Sequence, residues 1–166
     1  GFYAGVGLLG NKIMAQSGGP ELLRDGGGVS AYGGVHLSRR FSLELGFMSS
    51  FHNPATVDVG WGTDVDYLVL DALTLDAKYH FDSSGMLVPF VQGGVGGYAL
   101  GSQYFGTDSV GSGFQLGGGF DVWLGEFWTF DARLLYRGIS MGPPNSTDDD
   151  TFLSGITVEG SLAFNF

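Results

Sequence analysis

The chain has 166 residues, 31 of them glycine and none cysteine, with 14% charged residues, 14% aromatic residues and a formal net charge of −10. The lack of cysteine excludes disulfides, thiolate metal sites and a thiol nucleophile, the negative charge excludes nucleic acid as an expected partner, and no run reaches the ~18 apolar residues of a membrane-spanning helix. Soluble domains carry about 25% charged residues, so few charges, many aromatics and no spanning helix form an unusual mixture. No charged and apolar leader opens the chain, so any signal peptide is expected to be already removed.

No segment reads as a helix. Instead, runs of about ten alternating residues recur, which is the signature of strands with one apolar face. The first, "GFYAGVGLLG", sets Phe2, Ala4, Val6 and Leu8 against Tyr3, Gly5 and Gly7. "GVSAYGGVHLS" sets Val29, Ala31, Val35 and Leu37 against Ser30, Tyr32, Gly34 and His36. "RFSLELGFMSS" sets Phe41, Leu43, Leu45 and Phe47 against Ser42, Glu44, Gly46 and Met48. "DALTLDAKYHF" sets Leu73, Leu75, Ala77, Tyr79 and Phe81 against Thr74, Asp76, Lys78 and His80. "VPFVQGGVGGYAL" alternates least. "GFQLGGGFDVWL" sets Phe114, Leu116, Phe120 and Val122 against Gln115, Gly117 and Asp121. "WTFDARLLYRG" sets Trp128, Phe130, Ala132, Leu134 and Tyr136 against Asp131, Arg133 and Arg137, and "GITVEGSLAFNF" closes the series.

The connections alternate in length. "SRR", "DSSGM" and "GEF" are short, whereas "NKIMAQSGGPELLRDGG", "SFHNPATVDVGWGTDVD", "GSQYFGTDSV" and "SMGPPNSTDDD" are long and hold most of the remaining acids and prolines. Eight strands with short turns at one end and long loops at the other predict an all-β fold, an eight-stranded antiparallel up-and-down barrel over residues 1–166. Such a barrel is either soluble with its apolar face inward or transmembrane with its apolar face in lipid. The second face decides, because it is mostly Gly, Ser, Thr and Ala with few charges and almost no lysine. A wet surface would be denser in charge, whereas a narrow interior suits small residues and a few pairable charges. Phe2, Phe41, Tyr79, Phe81, Phe90, Trp123, Phe127, Trp128, Phe130, Phe164 and Phe166 gather near the short turns, as an interfacial girdle does. The expected location is therefore the bacterial outer membrane, with the long loops extracellular and both termini periplasmic.

The closing alternation ending in "FNF" resembles the C-terminal assembly signal of bacterial outer-membrane barrels, with Ser161 where that signal usually has glycine. "LDAKYHFDSSG" and "GGGFDVWLGEFWTFDARLLYRG" are similar to the fourth strand and the sixth-to-seventh hairpin of the outer-membrane protein A type of barrel. The resemblance extends over nearly the whole chain. It implies an interior acid–base cluster on these strands, discussed in that family as a gate.

The residues point to the same cluster. Counted from the short turns, Glu44, Lys78, Asp121 and Arg133 fall in one interior layer at ~3.4 Å rise per residue. If the third turn centres on Phe127, Asp121 and Arg133 lie directly opposite each other, with Cβ atoms ~5 Å apart. Two readings apply: a switchable ion or proton path, or fixed charge pairs that fill a tube only wide enough for side chains. The second is favoured, with Tyr3, Tyr32 and Gln92 completing the filling. His36 and Ser38 have the spacing of a nucleophile and its base, but they sit beside the short turns and lack a third orienting group. Asp148, Asp149 and Asp150 form a candidate cation-binding loop, of the kind that bridges lipopolysaccharide phosphates, weighed against plain solvated charge. The glycines of "GGVGG" make no phosphate loop, because no helix follows. No catalytic residue, cofactor or protein-ligated metal centre is expected. The expected partners are outer-membrane lipid, lipopolysaccharide and other envelope proteins. The expected role is a structural, anchoring or loop-binding barrel without an open pore. The alternatives are an accessory subunit of an envelope complex, favoured by the flat face of the fifth strand, and a small channel or conduit for apolar molecules.

Overall fold

A computed structural model describes residues 1–17, 25–52, 56–58, 63–65, 68–102, 109–142 and 151–166. The strands are β1 (Phe2–Ser17), β2 (Gly26–His36), β3 (Phe41–His52), β4 (Thr56–Asp58), β5 (Thr63–Val65), β6 (Leu68–His80), β7 (Leu87–Ser102), β8 (Ser109–Trp123), β9 (Trp128–Gly142) and β10 (Thr151–Asn165). Eight of them close a barrel in the order β1-β10-β9-β8-β7-β6-β3-β2, while β4 and β5 form a separate small hairpin inside the second long connection. Every barrel pairing is antiparallel. Closure satisfies each backbone ladder, which is what lipid demands of a spanning sheet.

The alternation does assign the faces. Val6, Leu8, Leu75, Val95 and Leu116 point outward and are exposed, whereas Glu44, Lys78, Asp131 and Arg133 are buried inside. Apolar residues outside and charges inside are the inverse of a water-soluble fold, and the fit of a barrel to lipid. The outer aromatics gather in two groups near the short turns. Tyr79 packs edge-on against Phe41 and Phe81, and Phe164 packs against Phe127, Trp128 and Phe166.

Two members of the expected girdle face the other way. Phe90 is 2% exposed, inside the barrel under the Lys78 ammonium. Trp123 lines the inner mouth beside Lys78 and Asp121. Both share strand parity with inward neighbours, Gln92 and Asp121. In a period-2 strand parity overrides residue type.

Several strands also run longer than the ten-residue segments. β1 and β7 have 16 residues each, and β8, β9 and β10 have 15. Crossing lipid takes ~9–11 residues, so the extra length lies on the long-loop side. A bulge at Met14, between Ile13 and Ala15, bends β1 there. The interior of this half is built around one buried apolar cluster, Leu9, Met48, Leu70, Ala72, Tyr98, Ile139, Met141 and Leu153, with Asn11, Ser50, His52 and Ser154 buried beside it. The tube is thus stacked in two layers, charged toward the short turns and apolar toward the long loops.

Candidate functional site

Strand register builds the charged layer. Asp131 lies directly opposite Asp121 across the β8–β9 hairpin, and Arg133 lies opposite Gly119. The turn therefore centres on Glu126 and not on Phe127, which corrects the expected Asp121–Arg133 pairing. Gly125, at φ 148°, supplies the left-handed residue of that tight turn.

Arg133 instead reaches across the tube. Its Nη1 donates to Glu44 Oε1 at 2.6 Å, while Nε and Nη2 grip the two Asp131 oxygens at 2.8 Å each. That is the two-pronged geometry for which a planar guanidinium is suited. Its plane also lies over the Tyr32 ring, 4.7 Å from the centroid. Lys78 Nζ donates to Asp131 Oδ2 at 2.8 Å and lies 3.8 Å from Glu44 and 3.7 Å from Asp121. It caps the Phe90 ring at 3.9 Å. Asp121, less tightly held by Lys78, also accepts from His80 Nε2 at 3.1 Å. Tyr3 OH donates to Glu44 Oε2 at 3.2 Å.

The four residues expected in the cluster, Glu44, Lys78, Asp121 and Arg133, thus share one network. Its hub is Asp131, which the sequence reading left out. The spacing Asp131-x-Arg133 was the available signal, because residues two apart on a strand share a face. Glycines make room for the rings that complete the layer: a Cβ on Gly34 would lie 2.2 Å from Tyr3 Cζ, and one on Gly5 would lie 2.5 Å from Tyr32 Cζ.

A second tier lies nearer the long loops. Asp76 accepts from Gln115 Nε2 at 2.6 Å and from Thr74 Oγ1 at 2.9 Å, and Glu159 accepts from Ser30 Oγ at 2.7 Å. Arg137 is buried there at 6% exposure, and its Nη1 rests on the Met48 thioether. Gln92 is buried with neither amide atom bonded within the protein.

His36 and Ser38 bond to different groups. Ser38 Oγ accepts from the backbone N–H groups of Arg40 and Phe41 and so caps the first turn. His36 Nδ1 bonds instead to Ser42 Oγ at 2.8 Å, directly across the hairpin. The nearby acid, Asp121, bonds to a different ring, His80, whose centroid is 6.1 Å from that of His36. Asp148, Asp149 and Asp150 lie outside the described residues. Among the described residues no three His, Asp or Glu side chains are arranged to hold a metal ion.

What this interior does chemically is cross-link. One layer ties β1, β3, β6, β8 and β9 together through ionic hydrogen bonds, and the apolar layer stacks above it. Cavities beside the layers are small, about 20 Å³ each at the inner mouth, beside Arg133 and beside Leu70.

No curated protein matches the sequence. Among solved structures, Neisserial surface protein A (NspA) superposes with a TM-score of 0.75 at 14% identity, covering 99% of this chain and 97% of that one. OprG from Pseudomonas aeruginosa gives 0.63 at 14% identity, with 99% and 95% covered. Ail of Yersinia pestis, solved with the heparin analogue sucrose octasulfate, gives 0.58 at 13% identity, with 98% and 97% covered. At such identities the likeness is one of fold. Residues 1–166 match the family model described as the outer membrane protein beta-barrel domain, and the chain belongs to that family of Gram-negative outer-membrane barrels.

Proposed function

We propose that this protein is a closed envelope barrel with a structural, anchoring or loop-mediated binding role, without an open pore. The observation that carries this reading is the filled interior. Arg133, Lys78, Asp131 and Glu44 bond across the tube, and the apolar cluster of Leu9, Leu70, Ile139 and Leu153 lies on the long-loop side of them. An ion would have to displace paired charges and then pass the packed apolar cluster, and a hydrophobic constriction opposes conduction by dewetting. The long loops face outward and the termini and short turns face the periplasm in this reading, which the contrast of short turns at one end with long connections at the other supports.

The loops select the ligand class. The four long connections contain Glu21, Asp25, Asp58, Asp64, Asp66, Asp108, Asp148, Asp149 and Asp150 against only Lys12 and Arg24. A polyanion such as the one bound by Ail is repelled by that field. Cationic partners, or lipopolysaccharide bridged by divalent cations, match it. A second reading, a subunit seated against other envelope proteins, draws on the outer face of β7, where Gly93, Gly97 and Ala99 leave the wall flat.

The test is electrical and topological. Purified protein in planar bilayers is expected to show no steady conductance, and epitopes placed in the long loops are expected to be reached by antibody on intact cells. Large, stable single-channel steps would overturn the closed-barrel reading in favour of a channel.

A further inference from the structure

The short-turn mouth of the barrel holds two of the chain's three histidines. His36 closes β2 and His80 closes β6, two strands that β3 separates in the barrel. Their ring centroids lie 6.1 Å apart, and both rings line one cavity of about 20 Å³ together with Trp123 and Asn165. His80 is buried, whereas His36, Trp123 and Asn165 are half-buried, so the cavity opens at the short-turn end. The bonds among Arg133, Asp131, Glu44 and Lys78 close without either ring.

Each ring is oriented through one nitrogen. His36 Nδ1 bonds to Ser42 Oγ at 2.8 Å, and His80 Nε2 to Asp121 Oδ2 at 3.1 Å. Tyr3 packs against the His36 ring at 4.7 Å and Phe90 against the His80 ring at 5.9 Å, which fixes their planes. This is how ligand histidines are held: one nitrogen on an oxygen of the protein, the other presented to an ion. The presented atoms here are Nε2 of His36 and Nδ1 of His80. Asn165 donates through Nδ2 to Phe127 O and Thr129 Oγ1, and turns its Oδ1 toward His36. A nitrogen–metal bond of about 2.0–2.1 Å puts each ring centroid about 3.2 Å from an ion, so a linear pair spans about 6.3 Å and a tetrahedral pair about 5.2 Å. The observed 6.1 Å lies between them. Charge favours a cation as well. The layer behind the cavity sets Glu44, Asp121 and Asp131 against Lys78 and Arg133, and the nearest of these cations to Asp121 is Lys78, at 3.7 Å.

We propose that His36 and His80 are the two imidazole ligands of a site for one divalent transition-metal ion, with Asn165 Oδ1 beside it and water from the open mouth completing the coordination. Imidazole selects zinc, copper or nickel, whereas calcium and magnesium take oxygen ligands. Asp121 is a positioning residue, since it acts through His80. That leaves two imidazoles with no third His, Asp or Glu among the described residues, a set suited to an exchangeable ion more than to a permanent structural centre. Lys78 also lines the cavity, but its ammonium is shared among Asp131, Glu44 and Asp121, which offsets its repulsion. An ion held there ties β2 to β6 across the mouth.

The experiment uses the whole untagged chain in phosphatidylcholine nanodiscs, with Cu²⁺ as the probe and Mg²⁺ in excess to occupy the acidic loops. Electron spin echo modulation detects the remote nitrogen of each coordinated imidazole, and two per copper are expected. His36→Ala and His80→Ala should each leave one and weaken binding, and the double change should leave none. Asp121→Asn should keep two imidazoles while weakening binding about 10–100-fold, as loss of an orienting partner does. His52→Ala, on the long-loop side, should change nothing. Zn²⁺ should displace the copper and Ca²⁺ should not. Heat-modifiable gel mobility confirms that each variant is a closed barrel. Two imidazoles persisting in His36→Ala or His80→Ala would overturn the proposal. So would a single imidazole in the parent chain, a signal lost in His52→Ala, or Ca²⁺ competing as well as Zn²⁺. These outcomes are independent of the conductance measurement that tests the closed barrel.

Discussion

The two halves of the interior obey different rules. Toward the short turns, the space is filled by Glu44, Lys78, Asp121, Asp131 and Arg133, whose bonds are directional and shared. Toward the long loops, it is filled by Leu9, Leu70, Ile139, Met141 and Leu153, which fit by volume. Both halves are enclosed by the same strands, with the same outward apolar residues. A closed tube of this width therefore imposes filling on its interior and leaves the polarity free. In the charged half each member depends on its partners, since removing one strands the others. In the apolar half each side chain contributes in proportion to what it buries.

The largest expected effect lies in the charged half. Arg133→Ala leaves the buried Glu44 and Asp131 with Lys78 as their one shared cation, at a cost of ~3–5 kcal/mol in urea unfolding from lipid vesicles. Changing Arg133 to Met together with Glu44 to Leu should cost clearly less than the two single changes combined. Additivity within ~0.5 kcal/mol would deny that they form one unit. Next comes the apolar half: Ile139→Ala should cost about 2–3 kcal/mol, as a buried deletion does. Ile139→Ala and Leu9→Ala, which share one buried cluster, should come much closer to additivity than the charged pair does. Strong coupling between them would erase the contrast between the halves.

Within the network, Asp121→Asn should cost less than about 1 kcal/mol. It loses an ionic contact to Lys78 and weakens the hydrogen bond to His80 but also removes a like charge directly opposite Asp131. Asp131→Asn, which disarms the hub, should cost several-fold more, and equal costs would mean that Asp131 is not the hub. Smallest is Arg40→Gln. Arg40 pairs with Asp82 between two short turns, but both are exposed, and no measurable change in the unfolding midpoint is expected.

Much of this was legible in the sequence because period-2 alternation is a strong signal wherever the two faces differ. Ser42-x-Glu44-x-Gly46 against Phe41-x-Leu43-x-Leu45 assigns inside and outside without ambiguity, and "GEF" marks a hairpin. The signal fails where both faces are apolar. Leu8 and Leu9, or Phe47 and Met48, are adjacent and alike, so the upper core left no pattern and its strand ends read as loop. The register of the β8–β9 hairpin was off by two residues in pairing because the turn's centre depends on the backbone of Gly125, which composition does not reveal. A shift of two keeps every side chain on its face. The right residues therefore came together while Asp131, the hub, was overlooked. Phe90 and Trp123 were misplaced for the opposite reason, as their aromatic character was allowed to outweigh their parity.

The ladder between β1 and β10 joins Tyr3 to Asn165 and Asn11 to Thr157, and it has a bearing on time. Hairpins such as β8–β9 bring together residues close in the chain and can form early. The β1–β10 seam is the most distant pairing, and loop closure of that kind governs folding speed. Until it forms, β1 and β10 both offer unpaired N–H and C=O groups that hydrocarbon cannot satisfy. Passage into the bilayer and joining of the seam must therefore coincide, and a chain on which β10 has not yet been made has no stable way to occupy the membrane at all.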